Sequence, residues 1–181
     1  MDKVAKHLPI RHRKLNHPIV FAFNIPTTHY AANRDAYYKP ILNSFKSQPG
    51  VKDQSQIYLL PNIVSPQDTI EERAKMLAHK LKAFKRSKVH LVTHSFTGID
   101  ARAAISMYDG GDRVRSLTTI CTPHLGLRLI DNARKFPEQY GDLAPLDKAF
   151  EVLGMSTDNA AEFTHKNMEA FNEVVTDHEN V

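Results

Sequence analysis

The sequence predicts an α/β fold, a mostly parallel sheet flanked by helices, on three observations. Short apolar runs at 19–23, 57–60 and 89–92 have the length and continuity of buried strands, and 114–121 reads as a fourth. Segments with helical spacing separate them, giving the order β-α-β-α-β-α-β, and that alternation argues for helices on both sides of a parallel sheet. After Pro123 the alternation stops, and only helical patterns follow, at 127–133, 143–153 and 158–171.

The elements follow in chain order. Residues 1–16 carry many charges and no clear period, and are expected to form a basic arm that docks elsewhere. Residues 17–181 are expected to form a single domain, with 127–175 as its helical region. Ile19 to Phe23 opens the sheet, and a connection rich in Thr, Asn and Ala follows over 24–33. Asp35 to Phe45 reads as a helix with Tyr38, Ile41, Leu42 and Phe45 on one face, broken by Pro49-Gly50. Pro61 stops the strand Ile57 to Leu60. Ser65-Pro66 has the signature of a helix start, serine as cap and proline in the first position, with Asp68 in the first turn. Ile70, Ala74, Leu77, Ala78, Leu81 and Phe84 then recur at helical spacing and predict a face packed on the sheet. Val89 to Val92 is the third strand. Ile99 to Tyr108 is a helix with small residues on one side, ended by Asp109-Gly110-Gly111. Val114 to Cys121 is the fourth strand.

Composition narrows the function classes. The 181 residues are 41% hydrophobic and 24% charged, ordinary for a globular domain able to bury a core. No apolar run approaches the roughly 20 residues of a membrane helix, and the N-terminus has no apolar signal-peptide core. The single cysteine, Cys121, cannot form an intrachain disulfide, which suits a reducing, intracellular compartment. Net charge is +4, with basic residues clustered at Lys3–Lys14 and Lys80–Lys88. Neither cluster has aromatic interleaving or an RNA-binding signature, so nucleic acid is not the expected partner. No spacing suggests a metal site or a cofactor.

The chemistry concentrates at Thr93-His94-Ser95-Phe96-Thr97-Gly98. A serine between a buried strand and a helix is the setting of a hydrolase nucleophile elbow, usually written G-x-S-x-G. Such a turn aims the hydroxyl away from the strand and puts the next backbone N–H, here that of Phe96, where an oxyanion would form. Both flanking glycines are threonine, Thr93 and Thr97, which leaves less room around a strained turn. A second oxyanion donor is expected from the loop after the first strand. Asn24 or Ile25 can donate there, and Pro26 cannot. A serine hydroxyl needs a base. Of His124, His165 and His178, only His124, just after a strand end, is placed to share an edge with Ser95.

These residues resemble the lipase branch of the α/β-hydrolase fold, and most of all the bacterial triacylglycerol lipases. His17-Pro18-Ile19-Val20 resembles the opening of that family's first strand. Val89 to Ser95 resembles its strand into G-H-S-x-G-G, and Gly98-Ile99-Asp100-Ala101-Arg102 the helix behind the nucleophile. Thr118-Thr119-Ile120-Cys121-Thr122-Pro123-His124-Leu125-Gly126 resembles its T-T-I-x-T-P-H-x-G strand and loop. The resemblance covers about 17–130, and implies that 131–175 correspond to a lid. Asp100 and Arg102 carry over as structural residues able to pair at the helix start. Phe23-Asn24 stands where the family has an oxyanion His-Gly. The family's later strands, which carry acid and base, do not follow, so the resemblance implies a C-terminally truncated scaffold that retains only the serine.

Three functions stay open. The departures favour a catalytically inactive, lipase-like pseudoenzyme serving as an accessory subunit of a larger assembly, with partner chains covering an open sheet edge. The high pI, about 9.1, and the basic start make a mitochondrial location the alternative to the cytoplasm. The second function is a serine esterase or lipase acting through Ser95, its triad completed by a partner chain or by further sequence. Loss of one oxyanion donor alone costs on the order of 100- to 1,000-fold in rate. The third is a module that binds lipid or acyl groups without turning them over.

Overall fold

Strand β1 (Ile19–Phe23) sits inside the sheet and shows its logic: successive side chains alternate between two different cores. The computed structural model describes residues 15–23, 34–48, 53–60, 68–84, 88–132, 156–176 and 178. Helix α1 spans Arg34–Lys46, β2 Ile57–Leu60, α2 Ile70–Leu81, β3 Val89–His94, α3 Thr97–Met107 and β4 Val114–Ile120. Residues 128–132 are also helical, within the stretch 127–133 expected to be a helix, and the short α4 (Thr157–Ala160) and α5 (His165–Val174) follow. Among the described residues the sheet is four-stranded, in the order β2-β1-β3-β4, with every pairing parallel.

Val20 and Ala22 face the larger core, with Leu91 of β3, Val114 of β4 and the apolar faces of α2 and α3. Phe21 and Phe23 face the opposite side, where Tyr38 of α1 lies 4.6 Å from the Phe23 ring. Helices therefore cover both faces, as the alternating pattern predicts. The small residues of α3, Ala101, Ala103 and Ala104, are all buried and allow α2 to pack closely beside it.

Three expectations need correction. The first turn of α2 does not hold Asp68: the helix begins at Ile70 with Thr69 as its cap. Thr69 and Glu72 form a reciprocal capping box, which satisfies helix-end N–H groups that a start four residues earlier would leave inside the helix. Ser65-Pro66 lies outside the described residues, as do 1–14, 24–33 and the predicted helix 143–153. The single helix expected over 158–171 is broken: a 3-10 turn at Ala161–Phe163 follows α4, and Thr164 then caps α5. Ile41 and Phe45 share a face with Tyr38 but stay partly exposed, at 38% and 40%.

Candidate active site

Strands β3 and β4 end on the same edge, and each ends in a residue with left-handed backbone: Ser95 at φ 58° and Cys121 at φ 52°. For a residue carrying a Cβ this region is sparsely populated and costs on the order of 1–3 kcal/mol. The surroundings hold it. Ser95 N–H donates to Ile120 C=O at 2.9 Å, and Thr122 Oγ1 donates to Ser95 C=O at 2.8 Å. Gly98 N–H also donates to Ser95 C=O, at 3.1 Å, closing the turn into α3. Ser95 is half-buried, and its hydroxyl is hydrogen-bonded to no described residue. Nor has the Phe96 N–H an acceptor among the described residues.

The two threonines do not block this turn. Thr93 is fully buried, with Oγ1 3.4 Å from Thr118 C=O, and Thr97 is 3% exposed. The close approach falls one residue further on. A Cβ on Gly98 would meet Thr122 Oγ1 at 2.2 Å, so glycine is required there for α3 to pass the loop after β4. The Gly98–Thr122 contact is the part of the elbow that reading the motif alone misplaces.

The other candidate residues divide. Phe23 is in register with His94, one residue before Ser95, so β1 delivers the chain beside the elbow. Asn24 itself lies outside the described residues. His94 turns its ring edge-on to Phe23, with centroids 6.2 Å apart. His124 is not hydrogen-bonded to Ser95. Its Nε2 lies 3.0 Å from Thr119 Oγ1 and its Nδ1 3.4 Å from Arg102 Nη1, while its carbonyl accepts from Asn172 Nδ2 at 2.9 Å. Burial, and then the Arg102 charge, pushes its pKa down, so the ring is neutral near pH 7. His165 is bonded through Nδ1 and its backbone N–H to Asp131.

Asp100 and Arg102 do not pair. The fully buried Asp100 carboxylate receives Arg73 Nε at 3.0 Å on both oxygens. Arg102 instead reaches Asn172 Oδ1 at 2.7 Å and Val175 C=O at 3.1 Å. Residues two apart on a helix diverge by about 200°, which separates these two side chains. Burial pushes the Asp100 carboxyl up to about 7, against the pull of the Arg73 guanidinium. Arg73 went unpredicted, although its position betrays it. It falls between Ile70 and Leu77 on the apolar face of α2, where an arginine needs a buried acid.

Among the described residues no cluster of three or more metal-ligating side chains gathers, and no helix is long and apolar enough to cross a membrane.

No protein-family model matches the sequence, and no curated protein matches it significantly. Solved structures do match. The mature Bacillus licheniformis lipase BlEst2 superposes with a TM-score of 0.60 and 21% identity, over 96% of this chain and 65% of that one. The fold is a partial α/β-hydrolase fold of the lipase type. Phospholipase PlaB from Legionella pneumophila superposes with a TM-score of 0.62 and 14% identity, over 90% of this chain and 36% of its own. The chain thus spans less than two thirds of the length of either protein. On this scaffold Ser95 lies in the turn between β3 and α3, with threonine rather than glycine at positions 93 and 97.

Proposed function

We propose that this α/β-hydrolase-fold protein is a serine-dependent acyl-ester hydrolase of the lipase class, with Ser95 as nucleophile. The observation that carries this reading is the strained Ser95 backbone, φ 58°, which presents a hydroxyl bonded to no described residue at the start of α3. Strain of this kind persists only where the surroundings over-determine it, and it concentrates at reactive positions. Ser95 Oγ attacks the acyl carbonyl, the Phe96 N–H holds the oxyanion, and an N–H of the Asn24 loop is the second donor. The base is an imidazole from outside the described residues, in this chain or a neighbouring one, because His124 is committed to Thr119 and Arg102.

That same commitment of His124 favours a second reading, a non-catalytic subunit of a larger assembly. Protein purified from its native source decides between them. On the first reading a fluorophosphonate probe labels Ser95, and Ser95→Ala abolishes both labelling and p-nitrophenyl ester turnover. An unlabelled Ser95 in protein that co-purifies stoichiometrically with other chains sinks the first reading and leaves the second.

A further inference from the structure

We infer that Arg73 is a positioning residue for the elbow, acting through Asp100 and Phe163 on the backbone and ring of Phe96. The inference deepens the reading of Ser95 as nucleophile and rests on it for its chemical consequence. Its geometry stands independently.

Four contacts close a ring around Phe96. Arg73 on α2 grips both oxygens of Asp100 from Nε, at 3.0 Å each. The Asp100 N–H donates to Phe96 C=O at 3.3 Å, within the first turn of α3. The Arg73 guanidinium lies over the Phe163 ring, 5.6 Å from its centroid. Phe163 in turn packs on the Phe96 ring, with centroids 4.2 Å apart. Arg73 and Phe163 are buried at 4% and 0% exposure. The turn bearing Phe163 is itself fixed to α2, because Glu162 accepts the Ile70 N–H at 3.0 and 3.2 Å.

Apolar side chains of similar volume would pack this space as well as an ion pair does. A planar guanidinium adds direction. It meets a carboxylate with its edge and an aromatic ring with its face, so one side chain sets two neighbours at once. Asp100 fixes the rotation of α3 and Phe163 fixes the ring of Phe96. Between them lies Phe96, whose own N–H must point at a developing oxyanion. Arg73 Nη1 donates to Asp68 C=O at 2.5 Å, and Nη2 is buried without a hydrogen-bond partner among the described residues.

The test uses the full-length protein with two readouts: amide exchange over residues 96–100, and the rate of fluorophosphonate labelling at Ser95. The variants are Arg73→Lys, Phe163→Leu and the paired swap Arg73→Met with Asp100→Leu. The paired swap is expected to keep the parent's thermal midpoint. It should nonetheless speed exchange at 96–98 at least tenfold and slow labelling at least tenfold, with β4 exchange unchanged. Arg73→Lys, which keeps the charge but loses the flat fork, should move both readouts the same way. If the swap fails to fold, Arg73→Lys and Phe163→Leu decide. Folded variants whose exchange at 96–98 matches the parent overturn the inference. A parent that exchanges as expected but is never labelled refutes the nucleophile reading and leaves the positioning inference standing.

Discussion

Ser95 holds a backbone conformation that glycine adopts at no steric cost. Ser95→Gly is therefore expected to be more stable than Ser95→Ala by about 1 kcal/mol, read from urea unfolding, although both remove the hydroxyl. Equal stabilities would show that the turn is not strained. At Gly98 the sign reverses. Gly98→Ala places a Cβ within 2.9 Å of three Thr122 side-chain atoms, and is expected to destabilise by about 1–3 kcal/mol. Thr122→Ala should recover part of that loss, so the double variant is predicted to be less than additive. Asp100 gives a pH signature. Its folded pKa, about 7, lies above the unfolded value of roughly 3.9. Across that window the folded state binds more protons, so this group's stabilising contribution is present at low pH and lost as pH rises toward 7. His90 acts oppositely. Burial, then His17 and Arg115, pushes His90 down, and its contribution is lost as pH falls below about 6.5. Unfolding midpoints from pH 4 to 8 should flatten above pH 5 in Asp100→Asn relative to the parent, and an unchanged profile would exclude Asp100 as the group responsible.

At the scale of elements, α2 shows what local pattern can and cannot specify. Its apolar face is legible because Ile70, Ala74, Leu77, Ala78 and Leu81 recur at helical spacing, and all are buried. Its start is less so, because Ser65-Pro66 and Thr69-x-x-Glu72 both read as capping signals, and it is Thr69 and Glu72 that cap the helix beginning at Ile70. Thr69→Ala removes that box, and is expected to cost about 1 kcal/mol by thermal denaturation. The break between α4 and α5 is likewise local chemistry, since Thr164 accepts the Asn167 N–H as a cap. Nothing in the spacing of 158–171 favours a break there over a continuous helix. The difference lies in the Phe163 ring, which must turn inward to meet Phe96.

For the whole molecule, the order β2-β1-β3-β4 puts the two most buried strands in the middle and, among the described residues, leaves β4 paired on one side only. Native-state hydrogen exchange should therefore be slowest in β1 and β3 and faster in β4, and uniform protection across the sheet would mean that β4 is covered on its other side. The alternation of buried strands and amphipathic helices, and a serine between β3 and α3, are fixed by local pattern, because burial periodicity and turn chemistry act over a few residues. That pattern, together with the resemblance to lipase motifs, predicted the parallel α/β scaffold that the structure has. Tertiary packing alone decided the rest: Gly98 meeting Thr122, Asp100 choosing Arg73 over Arg102, and His124 turning to Thr119. Each joins residues 5 to 27 positions apart whose separation in space depends on how α2, α3 and the sheet are stacked, and no local spacing encodes that.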